Sequence, residues 1–280
     1  MTRDLARLSI LQFLTTMYFA LCFLATLFSC FSSSLHILSQ HGKLIKNDLD
    51  IRKFYNEVPR DIVLVKLLKR LYALQFVLVR KSLFKYFYIV GIFACLGFMF
   101  IQDNTSNRMI MFTIHVLRRF LEEIFIAKHN SNKSSMSLVT FLFGISYYIM
   151  MPIAINLTWK STSSPCLIQI AIFFLFSALQ FMSHRTLSNI RRHSRMYDIP
   201  CGGLFNWISC PHYLCEIGIY TSLFADIFVY GIHYLWIYFA MMYITTCMIV
   251  NAIRSHKWYI ETFRESYIKL NRKAIVPLVI

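Results

Sequence analysis

Glycine and proline are scarce in this chain, 8 and 6 of 280 residues, and acidic side chains number only 13 against 29 Lys and Arg. So little glycine and proline argues against a disordered or linker-rich protein. There is no GxGxxG after a strand, no Walker loop and no GxSxG, so Rossmann binding, P-loop chemistry and serine hydrolysis lack support. Eight cysteines are scattered without a CxxC pair, most of them inside apolar runs where cysteine acts as a small hydrophobe. Neither a disulfide framework nor a zinc site is expected.

What the chain has instead is apolar length. Hydrophobic residues make up 57% of it and the mean hydropathy is +0.54, more than a soluble domain of this size can cover with polar surface. Runs of about 17 or more apolar residues are long enough to cross a bilayer as helices. They lie near 8–32, 84–102, 109–127, 138–158, 166–183, 212–230 and 233–253. The expected fold is therefore all-α, a polytopic membrane protein with about seven transmembrane helices. The run at 109–127 is the weakest, because His115, Arg118, Arg119, Glu122 and Glu123 interrupt it.

The formal charge of +16 reports topology, not nucleic acid, because the basic residues crowd into the gaps between apolar runs. With an odd number of spans and the N-terminus outside, 22 of the 29 Lys and Arg fall on the inside segments. The positive-inside rule then places the C-terminus in the cytosol. Residues 62–80 set Lys66, Lys69, Arg70 and Arg80 against an apolar stripe, which suits an interfacial helix better than a further span.

Ionisable groups within spans are candidate functional sites. His115, Arg119 and Glu122/Glu123 recur at i, i+4 and i+7/8, one helical face. They form either a self-satisfied Arg–Glu pair that pins helix packing or a polar wall facing a ligand with anionic groups. A second group runs from 184 to 220: His184, Asn189, Arg191, Tyr197, the stretch 199–205, Ser209, Pro211, His212, Tyr213 and Glu216. Pro211 suits a first helical turn, and His212 and Glu216 then share a face. Gly202 and Gly203 permit positive φ or close backbone approach. A His-x-x-x-Glu pair lacks the third and fourth ligands a metal needs, so no metal is expected. The residues themselves point to a polar ligand cavity with cytosolic access.

The stretch from His184 to Tyr220 resembles the steroid 5α-reductase family. It reads His184, Asn189-Ile190-Arg191, Ile199-Pro200-Cys201-Gly202-Gly203-Leu204-Phe205, then Ser209-Cys210-Pro211-His212-Tyr213-Leu214-Cys215-Glu216-Ile217. The C-terminus is similar too, with His256-Lys257-Trp258-Tyr259, Phe263, Tyr267 and Arg272-Lys273-Ala274-Ile275-Val276-Pro277. His115-Val116-Leu117-Arg118-Arg119-Phe120-Leu121-Glu122 and Phe143-Gly144-Ile145-Ser146-Tyr147-Tyr148 look like the polyprenol (polyprenal) reductase branch. Departures stand beside these matches. Asp198 replaces the usual arginine before Ile-Pro, Val116 stands where steroid-reducing members have a tyrosine acid, and Ile268 replaces a proline. Gly203-Leu204 is closer to the steroid reductases.

The resemblance implies a seven-span bundle enclosing an NADPH cavity reached from the cytosol. Cofactor contacts carry over to Arg119, His184, Arg191, Tyr197, His212, Glu216, His256 and Tyr259. Asn56-Glu57-Val58-Pro59 resembles the family's substrate-side acidic motif, which makes Glu57 the catalytic carboxyl. Residues 1–110 would hold the N-terminal spans, the basic loop and that motif, and 111–280 the NADPH-binding domain. The implied reaction is hydride transfer from NADPH to the β-carbon of polyprenal, supplying dolichol for protein N-glycosylation at the endoplasmic reticulum membrane. The partner is a long-chain polyprenoid lipid, and no obligate protein partner is evident. The rivals are a 3-oxo-4-ene steroid 5α-reductase, an isoprenylcysteine-type membrane methyltransferase and a non-enzymatic scaffold.

Overall fold

The computed structural model describes residues 2–31, 77–101, 105–127, 135–158, 165–193, 197–227 and 233–275. The described chain is almost all helix: α1 (Thr2–Phe31), α2 (Phe84–Ile101), α3 (Asn107–Leu121), α4 (Leu138–Thr158), α5 (Leu167–His193), α6 (Pro211–Phe224), α7 (Leu235–Phe263) and a short α8 (Glu265–Ile268). Two three-residue strands, β1 (Leu78–Arg80) and β2 (Ser135–Ser137), pair antiparallel and tie the approaches to α2 and α4 together. Such a small ribbon does not alter the helical class.

Five stretches are long and apolar enough to cross a membrane: Ser9–Cys30, Lys81–Ile101, Leu138–Thr158, Leu167–Arg191 and Leu235–Phe263. The expected runs at 109–127 and 212–230 are helices that do not meet that standard. α3 has 15 residues and α6 has 14, and neither combines the length and hydropathy of a crossing helix among the described residues. A π-helical turn, Glu122–Ile126, continues α3 directly and carries Glu122 and Glu123, while His115, Arg118 and Arg119 lie on α3 itself. The sequence window read apolar length there, and the structure uses those residues as an inner wall.

Apolar helices satisfy their own backbone, and their few hydroxyls do likewise. Thr15, Thr16 and Thr26 of α1 donate to the carbonyls of Leu11, Gln12 and Cys22, four residues back, at 2.7–2.9 Å. α1 packs along α7, where Arg254 donates to the Ser29 carbonyl at 3.2 Å, and it meets α4 where the Tyr18 and Ser146 hydroxyls lie 2.8 Å apart. The largest apolar cluster joins α2, α3, α4, α6 and α7 around Phe112, Val116, Met151, Ile155, Tyr220 and Ile237.

α5 and α6 pack most closely of all, because Gly218 leaves room for Phe176. A Cβ at Gly218 would lie 2.5 Å from that ring. At the other end Arg108, 1% exposed, is paired with Asp226, which also accepts from Gln169 at 3.0 Å. The C-terminal segment folds back on the 3₁₀ turn Gly203–Asn206 through a bridge between Ile208 and Lys273. Gly202 and Gly203 take φ values of 91° and 54°, and a Cβ on either would meet nothing within 4 Å. Their role is therefore conformational, not one of close approach.

Gly218→Ala is expected to lower the thermal unfolding temperature in detergent, with overpacking worth about 1–3 kcal/mol. Adding Phe176→Leu should recover most of the loss.

Candidate active site

Three helices and the π turn converge on one carboxylate. Glu122 opens the turn, its side chain 4% exposed, and it accepts from Arg118 through Oε1 and Arg119 through Oε2. His184 of α5 places Nδ1 2.7 Å from the same Oε2 and 2.6 Å from the Arg119 guanidinium. Arg119 also donates to the Tyr88 hydroxyl of α2 at 3.0 Å. The helix spacing explains this arrangement, since residues at i, i+3 and i+4 stand on one face.

A second carboxylate is linked to the first. Gln180 of α5 accepts from Arg118 and donates to Glu216 of α6 and to the His212 carbonyl. His115 Nε2 stands 3.4 Å from Glu216 Oε1, a close polar contact that is not aligned as a hydrogen bond. In low dielectric such groups persist only when neutralised by one another. The Arg–Glu pairing is real, yet it does not consume the site, because Arg119, Glu122 and Glu216 still face a cavity.

That cavity, about 310 Å³, is lined by Lys81, Tyr88, Arg119, Glu122, Glu123, Gln180, His184, Arg191, His212 and Glu216 among others. A smaller polar chamber of about 110 Å³ adjoins it through Lys81, Leu187, Arg191, His212 and Tyr213, and adds Tyr197, Asp198, Ser255 and Tyr259. On the other side lies an apolar cavity of about 360 Å³ between α1, α2, α4 and α7. It shares Phe84, Tyr148, Tyr213, Glu216 and Met248 with the first. One polar and one apolar chamber thus meet along a seam of five side chains.

The structure brings seven of the eight expected cofactor residues to the polar chambers: Arg119, His184, Arg191, Tyr197, His212, Glu216 and Tyr259. Tyr197 stands edge-on to Trp258, ring centroids 5.2 Å apart, at the exposed end of the smaller chamber. His256 lines neither. Its Nδ1 is 2.7 Å from Ser209 Oγ, which in turn donates to the Lys273 carbonyl and pairs with Tyr267. Burial pushes the Tyr267 hydroxyl above the usual phenol range, so it stays a donor in this clasp. The clasp holds the C-terminal segment, and Arg272 donates from it to the Pro200 carbonyl at 2.7 Å, fixing the 199–205 stretch. Glu57 lies outside the described residues.

Sequence reasoning passed over Lys81, Tyr88, Tyr148 and Gln180. A signal for one of them existed: Gln180, His184, Leu187 and Arg191 follow one another at i, i+4, i+7 and i+11 along α5, a single face. Among the described residues no group of three His, Cys, Asp or Glu is placed to hold a metal.

The family model for 3-oxo-5-alpha-steroid 4-dehydrogenase matches residues 139–280, just over half of the chain. The chain belongs to this family. Its relatives within the steroid 5α-reductase group include the polyprenal reductase of Saccharomyces cerevisiae, 27% identical over 205 residues, covering 72% of this chain and 75% of that protein. The polyprenal reductase of Caenorhabditis elegans is 32% identical over 195 residues, 61% of this chain and 60% of that one. Polyprenal reductase 1 of Oryza sativa is 30% identical over 210 residues, 61% and 58%. The chain therefore spans less than two thirds of the nematode and rice relatives. For a 5α-reductase family member, the matched region carries α4 to α8, hence His184, Gln180, His212 and Glu216, while Arg118, Arg119 and Glu122 lie before it.

Glu122→Gln should leave two guanidiniums without their shared anion and destabilise the protein by about 3 kcal/mol. Thermal unfolding in detergent checks this, and an unfolding temperature equal to wild type would contradict the pairing.

Proposed function

We propose that this chain reduces the α,β double bond of polyprenal with NADPH, and so acts as a polyprenal reductase. The observation that carries the reading is the seam at Glu216, Tyr148 and Tyr213, where a polar chamber suited to a dinucleotide borders an apolar one suited to a lipid. The similarity to three polyprenal reductases supports the same substrate.

The donor set fits the cofactor. Lys81, Arg119 and Arg191 put three cations on the polar walls, matching a phosphate-bearing ligand. Glu216, tethered by Gln180, and the hydroxyls of Tyr88 and Tyr259 offer acceptors and donors for sugar and amide groups. When bound, NADPH supplies the hydride. Everything else is the work of the chain: Arg119, His184, Arg191, Tyr197, His212, Glu216 and Tyr259 bind and orient, and His256 acts through the clasp that fixes 199–205. Phe87, Phe143 and Ile244 keep water from the lipid side. Glu57 is the carboxyl that the resemblance assigns to the carbonyl oxygen, which must accept charge as hydride reaches the β-carbon. An allylic alcohol lacks that electron sink, which favours the aldehyde as the immediate substrate.

In this reading residues 1–110 serve the substrate and 111–280 the cofactor. The protein is embedded in the endoplasmic reticulum membrane with its C-terminus in the cytosol, where NADPH is reached, and its product enters dolichol supply for N-glycosylation.

Purified protein with NADPH is expected to convert polyprenal to the saturated aldehyde and to leave a 3-oxo-4-ene steroid largely unchanged. Preferential turnover of the steroid, or binding of S-adenosylmethionine in place of NADPH, would overturn the assignment. Arg191→Ala should raise the Kd for NADPH about tenfold or more, as loss of a charge-assisted contact of about 1.5–3 kcal/mol implies. Fluorescence titration of NADPH reads this without turnover.

A further inference from the structure

Among the described residues only two tyrosines, Tyr148 and Tyr213, line both the polar cavity and the apolar one. Tyr213 also lines the smaller polar chamber, its ring 4.1 Å from that of His212, whereas Tyr148 does not line that chamber. Tyr88, on the polar wall, accepts from Arg119, while Tyr147, Tyr220 and Tyr243 line the apolar cavity and not the polar one. Among the described residues the Tyr148 hydroxyl has no hydrogen-bond partner. Tyr148 is only partly buried, and its hydroxyl is open to the cavities that the residue lines, where a ligand atom can meet it.

The ring is held in place from several sides. It stacks on Phe87 with centroids 6.3 Å apart and planes at 21°, and it stands edge-on to Tyr88 at 5.4 Å and to Tyr147 at 5.3 Å. On its remaining flank is Gly91 of α2, where a Cβ would lie 2.7 Å from Tyr148 Cδ1 and 3.1 Å from Val116 Cγ1. The absence of a side chain at 91 is what lets the ring sit against α2. Val116 itself is fully buried and lines neither of the two cavities.

We propose that Tyr148 is the hydrogen-bond and proton donor to the carbonyl oxygen of an isoprenoid enal held across the seam. This rests on the reductase reading above, and it assigns the proton transfer to the described half of the site, where Glu57 is not needed for it. The aldehyde must lie at the seam, because its tail belongs on the apolar side and its β-carbon must reach the polar side. As the β-carbon accepts a hydride, the C=C π pair shifts to join the α-carbon and the carbonyl carbon. The carbonyl π pair moves onto oxygen, which takes the proton as the Tyr148 O–H bond breaks. The hydride and its electron pair come from a reduced nicotinamide, which is oxidised. Water in the polar cavity reprotonates the phenolate. The enol then gains a proton at the α-carbon, loses the one on oxygen, and becomes the saturated aldehyde.

The test uses the purified full chain without cofactor and a short isoprenoid enal labelled with ¹³C at its carbonyl. Isotope-edited infrared spectroscopy should show a lowered C=O stretch on wild type and an unshifted one on Tyr148→Phe, with NADPH binding intact in both as the check on folding. With NADPH, single-turnover reduction by Tyr148→Phe should fall about 100-fold, the size of a general-acid contribution. Gly91→Ala, which displaces the ring but keeps the hydroxyl, should also lose the shift. A Tyr148→Phe protein that keeps the shift and reduces the enal within about threefold of wild type would overturn the assignment. If wild type itself neither shifts the carbonyl nor reduces the enal, the reductase reading fails, and that outcome is distinct because it needs no variant.

Discussion

The carboxylate of Glu122 is the point on which the interior of this protein depends. It sits where α3 widens into a π turn, and it carries Arg118 and Arg119 from its own strand of helix and His184 from α5. Arg118 reaches Gln180, and Gln180 holds Glu216 of α6, so one buried anion sets the mutual positions of three helices. Charges in a lipid-facing bundle carry a desolvation cost of several kcal/mol each unless they are paired and hydrogen-bonded. This network meets that condition while leaving one edge of Arg119, Glu122 and Glu216 toward a cavity.

From that constraint the chamber arrangement follows. α3, α5 and α6 make a polar wall, whereas α1, α4 and α7 offer mostly aromatic and aliphatic side chains. The two kinds of surface can only meet along a line, and Glu216, Tyr148 and Tyr213 mark it. A reaction that joins a polyanionic, water-soluble reductant to a membrane lipid requires such a line, and this is the physical content of the proposed function. The clasp of Ser209, His256 and Tyr267 contributes from a distance, by keeping the 199–205 stretch against the C-terminal segment.

Much of this was legible in the residues, and the reasons for the gaps are specific. Apolar runs marked α1, α2, α4, α5 and α7, because a helix in lipid needs length and little else. The same measure also marked α3 and α6, which are helices but fall short of a crossing helix in length and hydropathy among the described residues. His212 and Glu216 followed from i, i+4 spacing behind Pro211, and their common cavity agrees with it. Gln180 was invisible as a neutral residue in an apolar run, although its register with His184 and Arg191 was available. Tyr148 could not be found this way: its significance lies in Gly91 of another helix, which leaves room for its ring, and in its place on the line where the two cavities meet. Glu57 remains a reading from resemblance.

The central claim is that reductant and lipid meet across the seam, and isotope tracing tests it most directly. Polyprenal incubated with the purified protein and NADPH carrying deuterium at the transferable C4 position should yield product with deuterium on the β-carbon and a solvent hydrogen on the α-carbon. Deuterium on the carbonyl carbon, or none retained in the product, would contradict the account.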